Sequence, residues 1–213
     1  MIAFDHLVVG APTLDEGASW LEARLGIPMS AGGKHETMGT HNRMLSLGPG
    51  RFLEVIAIDP DGKTPARARW FELDAPAMQE RLAQSPALIH WVVRTDDIAR
   101  AIAATTSGDC DVLSLSRGNF RWRIGVPPSG SLAQDGIAPT VIQWDGGGHP
   151  SDFLPDAGCG LEALVLQHPQ AQATLRILRA AGLDARDPVE ARSRGRGLAA
   201  RIRTPRGIVT LAE

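Results

Sequence analysis

Three short apolar runs recur along the chain, and each has the length of a β-strand. They cover residues 4–9, 88–93 and 161–166. Each run is followed by turn residues and then by a stretch with apolar residues at helical spacing. A unit that returns in this way indicates an internal repeat. The first two copies place a histidine, His6 or His90, at the same point of the strand, whereas the third has an alanine there.

The hydrophobic pattern predicts that each run opens a unit of one strand, one helix and two or three further strands. In the first unit, the helix is predicted to begin near Thr13 and to end at Gly26, with its leucine residues on one face. Strands are predicted at 41–47 and 52–58. The glycine-rich residues 30–40 before them are predicted to be a loop.

The same pattern divides the chain into four segments. Residues 1–60 form the first unit, 61–87 a connector with a short helix, 88–150 the second unit and 151–213 a third βαβββ-like unit. Helices kept apart from predominantly antiparallel strands define an α+β protein, which is the predicted fold class.

The composition is that of an ordinary globular protein, with 43% hydrophobic residues, 22% charged residues and a formal net charge of −2. No apolar run reaches the ~20 residues of a membrane helix, and the first residues carry no export signal. Cys110 and Cys159 have no metal or redox spacing and are expected to be free thiols. We therefore expect a cytoplasmic protein with neither a membrane nor a nucleic acid as partner.

Several segments together resemble the vicinal-oxygen-chelate superfamily and, within it, the glyoxalase-like proteins. They are residues 4–9, 39–48, 52–57, 91–96, 121–123, 142–144 and 149–150. The resemblance implies that two βαβββ units pair into an open barrel around a cavity, with the third unit added at the C-terminal end. Members of the superfamily often bind a divalent metal and act as isomerases, lyases or dioxygenases, and some only sequester small molecules.

The resemblance also implies a metal site in the cavity. Its ligands lie on the first and last strands of each unit, which here carry His6 and Glu54, then His90 and Gln143. Such a mixed nitrogen and oxygen set suits Zn, Ni, Fe, Mn or Co. The alternative, a metal-free cavity in which the same residues make polar contacts, stays open. Strand alternation places His6 on the same face as Phe4.

Further candidates lie beside the glycine-rich loops, where functional residues concentrate. His41 is a candidate general acid or base together with Glu54, because an imidazole titrates near neutrality. Asn42 and His149 are candidate substrate contacts at the cavity rim. The alternative for His41 is a rim residue that fixes a loop through hydrogen bonds.

Arg121 and Arg123 alternate with aromatic and apolar residues, so one face of their strand is cationic. If the apolar face packs on the helix, both guanidinium groups point into the cavity and favour a carboxylate ligand. The alternative is an edge strand whose arginines face water.

Taken together, these patterns predict a glyoxalase-like, metal-dependent enzyme of the lyase, isomerase or dioxygenase type. Its expected partner is a small oxygenated, anionic organic substrate. The alternative function is non-catalytic binding of a small molecule on the same fold. Two units suffice for one cavity, so the apolar sheet of the third must lie against the other two or pair with its copy. A homodimer is expected from the second arrangement.

Overall fold

The computed structural model describes residues 1–105 and 109–212, and the fold class is α+β, as predicted. The first unit consists of β1 (Ile2–Gly10), α1 (Leu14–Leu25), β2 (Ser30–His35), β3 (Thr40–Ser46) and β4 (Phe52–Ile58). The connector carries α2 (Pro76–Gln84), and the second unit consists of β5 (Ala87–Thr95), α3 (Ile98–Thr105), β6 (Asp111–Arg117), β7 (Phe120–Val126) and β8 (Thr140–Gly146). The third consists of β9 (Gly160–Gln167), α4 (Ala171–Ala180), β10 (Val189–Arg192), β11 (Gly197–Thr204) and β12 (Gly207–Ala212).

Helix α1 begins and ends where the sequence predicts. The Thr13 hydroxyl accepts a hydrogen bond from the Glu16 amide at 3.2 Å, which satisfies one unpaired donor of the first turn. Gly26 ends the helix in the left-handed region, with φ 72°. Among residues 1–105 and 109–212, no helix combines the length and the apolar character needed to span a bilayer.

The glycine-rich stretch after α1 differs from the prediction, because residues 30–35 form the edge strand β2 instead of a loop. The glycines permit this pairing. A Cβ at Gly32 would lie 2.1 Å from the Asn42 carbonyl oxygen of β3, so only glycine fits there. The Gly33 amide donates to the Asn42 side-chain oxygen at 3.0 Å. A polar strand without apolar alternation therefore forms by close backbone approach.

Units one and two join into one eight-stranded sheet of order β2-β3-β4-β1-β5-β8-β7-β6. In each unit the first strand pairs parallel to the last, β1 with β4 and β5 with β8. The units meet through the antiparallel pair β1 and β5. The sheet curls into a half-barrel with α1 and α3 on its outer side, as the resemblance implied.

A bulge interrupts β1 next to the cavity. In the pairing with β5, Phe4 is opposite Val93 and His6 is opposite Val92, so Asp5 is an extra residue. The bulge shifts the alternation: Phe4 packs in the core on the helix side, whereas His6 faces the inside of the curl. The predicted common face of His6 and Phe4 is therefore wrong.

The third unit has the predicted element order but not the pairing of the other two. Its sheet has the order β10-β9-β11-β12, with β9 parallel to β10. Its apolar face packs in the same core cluster as the outer face of β1 and β5, through residues such as Leu164, Leu198 and Ile202. The apolar sheet face that suggested a homodimer is thus covered within the chain, and the homodimer stays a prediction.

Candidate functional site

A small, partly open cavity of about 40 Å³ lies inside the curl of the eight-stranded sheet. Both units and the connector line it, with His6, Asn42, Glu54, Phe71, Arg117 and Trp122 among the lining residues. This volume has room for only a few water molecules. Polar groups on its wall therefore lie in a small, largely desolvated space, where electrostatic interactions are strong.

The bulged residue Asp5 is fully buried and accepts three hydrogen bonds from side chains. Its donors are His6 Nδ1 at 2.6 Å, His149 Nε2 at 3.1 Å and Trp144 Nε1 at 3.1 Å. Burial by itself would raise the pKa of Asp5, but the hydrogen bonds from His149 and His6 outweigh it and hold that pKa well below its usual range. Asp5 is therefore ionised. The proton on Nδ1 of His6 stays on the ring and is donated in a hydrogen bond to the Asp5 carboxylate.

His6 and Glu54 face each other across the cavity. His6 Nε2 lies 3.7 Å from Glu54 Oε2, longer than a hydrogen bond. Asn42 Nδ2 donates to Glu54 Oε1 at 2.5 Å and fixes the carboxylate. Strand alternation accounts for the position of Glu54, because its neighbours Leu53 and Val55 pack in the core on the helix side. The unit thus presents an imidazole nitrogen and a carboxylate oxygen to the same small space.

Arg117, the last residue of β6, reaches across the mouth of the half-barrel to β2 and β3. Its NH1 donates to Asn42 Oδ1 at 2.8 Å and lies 3.2 Å from His35 Nε2. Burial lowers the pKa of Arg117, and the nearby Glu54 carboxylate counteracts this effect. Burial and then the positive charge of Arg117 lower the pKa of His35 to about 3, so His35 is a neutral acceptor. Arg117 therefore joins the two edges of the sheet.

The connector closes the cavity with two aromatic residues. Trp70 and Phe71 lie in a short 3-10 helix, Trp70–Glu72, and both are buried. Phe71 and Glu72 have φ of 59° and 58°, a left-handed conformation that is costly for these residue types. The Glu72 amide donates to the Gly130 carbonyl at 2.9 Å, which holds the connector against the second unit. The sequence predicted only a connector here.

Of the four implied metal ligands, the structure brings together only His6 and Glu54. His90 Nδ1 donates to the Gly136 carbonyl at 3.1 Å, and its Nε2 accepts from the Thr140 amide at 3.1 Å. Burial lowers the pKa of His90 to about 3, although the bond to Gly136 opposes it. Both ring nitrogens of His90 are thus occupied by the backbone.

Gln143 lies on the other face of β8, where its side-chain oxygen accepts from the Ile98 amide at the start of α3 at 2.9 Å. Its neighbours Ile142 and Trp144 line the cavity instead. The registers of β4 and β8 relative to the cavity therefore differ by one residue, which turns the amide of Gln143 away from His6.

The described residues do not fit a divalent-metal centre with three protein ligands. Within residues 1–105 and 109–212, no three His, Cys, Asp or Glu side chains are grouped so that they could hold a metal ion. The neighbouring donors, His35 Nε2 and Asn42 Oδ1, both face NH1 of Arg117. A guanidinium group in that position repels a divalent cation.

His41 does not lie in the cavity. It shares a face of β3 with Arg43, whose guanidinium pairs with Asp15 of α1 at 2.5 Å, whereas Asn42 and Met44 face the cavity. Because side chains alternate along a strand, His41 and Asn42 cannot share a face. The structure thus separates His41 from Glu54.

Arg121 and Arg123 face away from the cavity. The alternative interpretation placed such arginines on an edge strand, but β7 pairs with β6 on one side and β8 on the other. Arg123 forms a two-fold ion pair with Asp145 at 2.8 Å, and exposed Arg121 donates to the Asn119 carbonyl. The apolar face of β7, with Trp122 and Ile124, lines the cavity and does not pack on a helix.

The structure places Asn42, Glu54 and His149 at the cavity or directly beside it, as expected. Sequence analysis missed Arg117, although a signal exists. Leu113, Leu115 and Arg117 alternate along β6, and the two leucines pack on the cavity side. Because side chains two residues apart lie on the same face of a strand, Arg117 faces the cavity together with the two leucines.

The comparisons with known proteins agree with this architecture. The family model for the glyoxalase-like domain matches residues 4–182. The chain therefore belongs to the glyoxalase-like family of the vicinal-oxygen-chelate superfamily. No curated protein matches the chain.

Solved structures are similar to the chain at low sequence identity, and the first of the following three shares its fold. A hypothetical protein from Staphylococcus aureus is 14% identical, with a TM-score of 0.59, and the match covers 92% of this chain and 88% of that one. Methylmalonyl-CoA epimerase from Mycobacterium tuberculosis is 15% identical, with a TM-score of 0.41 and coverage of 66% and 85%. A hypothetical protein from Bacillus halodurans C-125 is 12% identical, with a TM-score of 0.42 and coverage of 67% and 93%.

Proposed function

We propose that this glyoxalase-like protein is an isomerase- or lyase-type enzyme that moves a proton on a small oxygenated substrate. The observation that carries the proposal is the line Asp5–His6–Glu54, which ends in a desolvated cavity with 3.7 Å between His6 Nε2 and Glu54 Oε2. Two proton-transferring groups that face the same space are the requirement for general acid–base catalysis.

In the proposed reaction, the Glu54 carboxylate takes a proton from a carbon next to a carbonyl group. The electron pair of that C–H bond forms a carbon–carbon double bond, and the carbonyl oxygen takes a proton from His6 Nε2. Return of both protons gives the starting compound or its isomer. The ionised Asp5 holds the ring of His6 by its Nδ1 proton and stabilises the positive charge on the ring.

Side chains alone carry this chemistry, so the proposal differs from the metal dependence that the resemblance implied. The donors near His6 and Glu54 are already bonded to a cation, and a divalent ion would have to displace Arg117. The prediction is that activity is the same with and without a chelator.

The first experiment measures exchange of substrate hydrogen for deuterium in D₂O by NMR, on pyruvate, hydroxyacetone and butane-2,3-dione. We expect the protein to accelerate exchange of at least one compound. His6→Gln and Glu54→Gln should each slow it at least about 100-fold. The matched control is His41→Gln, which changes a histidine on the opposite face of β3 and should exchange like the unmodified protein.

Treatment with EDTA should leave the exchange rate unchanged, and thermal unfolding should show that all three variants remain folded. Loss of exchange on chelation, with recovery on adding Zn, Ni, Fe, Mn or Co, would contradict the side-chain mechanism. A protein that accelerates no exchange would contradict acid–base catalysis on these substrates.

Non-catalytic binding is the second candidate, and the aromatic wall of the cavity favours it. Trp70, Phe71, Trp122 and Trp144 line most of one side, and such rings bind flat apolar ligands well. A binding protein would keep its affinity for a ligand when His6 is replaced by Gln, and would leave the ligand unchanged.

A further inference from the structure

We propose that Arg117 is the anion-binding residue of this cavity and that the substrate is a small 2-oxo acid held by its carboxylate. The inference rests on the proposed function for the identity of the reacting groups. It adds the substrate class and a specificity-determining residue. Within the described part of the chain, Arg117 forms its hydrogen bonds with His35, Asn42 and Met44 and not with His6 or Glu54. It reaches the cavity from the opposite edge of the sheet.

The partners of Arg117 are all neutral. They are Asn42 Oδ1, His35 Nε2 and, at 3.9 Å, the sulfur of Met44. Among the described residues, no carboxylate lies within ion-pair distance of this guanidinium. Three other partly buried arginines each pair with a carboxylate: Arg51 with Asp187, Arg67 with Asp111 and Arg69 with Asp74. The Glu54 carboxylate acts on Arg117 only from beyond ion-pair distance. A partly buried cation whose hydrogen-bond partners are all neutral is costly to keep, and a bound anion would stabilise it.

One edge of the guanidinium is available to a ligand. NH1 is occupied by Asn42 and His35, while NH2 has only the weak sulfur acceptor of Met44. The arginine fork matches the two oxygens of a carboxylate. The aliphatic stem of Arg117 packs closely on β2. A Cβ at Gly33 would lie 2.7 Å from Cδ of Arg117, so β2 leaves room for this stem only because residue 33 is glycine.

Asn42 sets the distance between the anion and the proton-transferring groups. Its oxygen accepts from Arg117 NH1 at 2.8 Å, and its nitrogen donates to Glu54 Oε1 at 2.5 Å. One amide group therefore separates the guanidinium from the base. A carboxylate on Arg117 places the next one or two carbons of the same molecule beside Glu54.

The three groups together describe a 2-oxo acid. Arg117 takes the carboxylate, His6 faces the carbonyl oxygen at the neighbouring carbon, and Glu54 takes a proton from the carbon after it. Removal of that proton adds negative charge beside an existing carboxylate, and the positive charge of Arg117 offsets the repulsion. The small volume of the cavity, about 40 Å³, favours the shortest members of the class.

The test compares pyruvate with butane-2,3-dione, which has a methyl group in place of the carboxylate. For Arg117→Gln, we expect the dissociation constant of pyruvate from calorimetry to rise at least 10-fold, a larger factor than the rise for butane-2,3-dione. Arg121→Gln is the matched control, because that exposed arginine binds only a backbone carbonyl. It should leave both ligands unaffected.

Arg117→Lys separates recognition from folding. Lysine keeps the charge but not the fork, so pyruvate should bind more weakly than to the unmodified protein but more tightly than to Arg117→Gln. Equal loss of both ligands, with a lowered unfolding temperature, would assign Arg117 a purely structural role and overturn the inference. Unmodified protein that binds neither pyruvate nor oxalate would overturn it as well.

Failure of the proposed function gives a different result. If Glu54→Gln and the unmodified protein both bind pyruvate but neither accelerates hydrogen exchange, the acid–base mechanism fails. Selective weakening of pyruvate by Arg117→Gln then still supports the anion site.

Discussion

At the scale of single residues, burial fixes the charge of the groups around the cavity. His35 and His90 are both buried, and each has its pKa lowered to about 3, chiefly because burial penalises the charged ring. Asp5 shows the opposite outcome, since three donors keep it ionised despite full burial. The interior thus holds both neutral histidines and a charged aspartate. The protonation state of each group follows from its burial and its hydrogen-bond partners.

The neutral histidines predict how stability changes with pH. An unfolded histidine titrates at about 6.5. Between about pH 3 and 6.5 the unfolded chain therefore binds more protons, so the free energy of unfolding should fall as the pH drops below 6.5. The slope is at most about 1.4 kcal/mol per pH unit for each histidine.

Urea unfolding between pH 5.5 and 7 measures this slope above most of the range in which unfolded aspartates and glutamates titrate, with pKa values of about 3.9 and about 4.3. His90→Gln removes one of the two groups, and its curve should be shallower than that of the unmodified protein, even if it is less stable throughout. Parallel curves would show that His90 is not held neutral in the folded state.

At the scale of elements, the bulge in β1 determines where the site is. The backbone groups of Phe4 lie beside the bulge, before the pairing with β4 begins at His6. The Phe4 amide donates to Asp187 Oδ2 at 2.8 Å, and its carbonyl accepts from Arg94 NH1 at 2.5 Å. Asp187 also accepts from Arg51 NH2 at 2.6 Å. Side chains from the loop before β10 and from β5 thus satisfy the backbone of Phe4 next to the bulge.

Asp187→Ala should destabilise the protein by about 1–3 kcal/mol, because it leaves a buried amide without an acceptor. Glu162→Ala is the control from the same unit. It breaks an exposed ion pair with Arg203, at 3.0 Å, and should cost less than about 1 kcal/mol. Chemical unfolding of both variants measures the difference. Equal small effects would mean that water replaces Asp187 at the bulge.

The bulge also shows what sequence reasoning could reach. Strand and helix positions followed from apolar periodicity and turn residues, and Glu54 and Asn42 were placed correctly because their strands are regular. The face of the sheet on which Phe4 lies depends on the bulge, and that of Gln143 depends on the strand register. The local sequence pattern encodes neither. Arg117 meets Asn42 across 75 positions of chain, and only the closed curve of the sheet brings them together.

At the scale of the whole molecule, the third unit is part of one core with the other two. Leu164, Leu166, Leu198 and Leu211 are buried in the cluster that contains the outer face of β1 and β5. Backbone hydrogen bonds join Ile2 to both Gly182 and Asp184, each at 3.2 Å. The unit is therefore an integral layer of the fold.

A chain that ends at Pro155 should not fold independently. Each buried leucine contributes about 1.5–3 kcal/mol, so losing these residues removes as much as the whole stability of a typical domain. We expect aggregation or a loss of cooperative thermal unfolding, measured by gel filtration and circular dichroism. A soluble, cooperatively unfolding fragment would contradict this expectation. Sedimentation of the full chain tests the predicted homodimer separately.

The hydrogen bond from Phe4 to Asp187 has consequences for how the sequence evolves and for how the protein is inactivated by heat. A residue that touches no substrate supports the bend that aims His6, so natural selection on the cavity extends into the C-terminal unit. Partial loosening of that unit on heating would misalign the imidazole before the barrel itself comes apart. Under the proposed function, activity would be lost before the fold, and the C-terminal layer would set the temperature range in which the protein works.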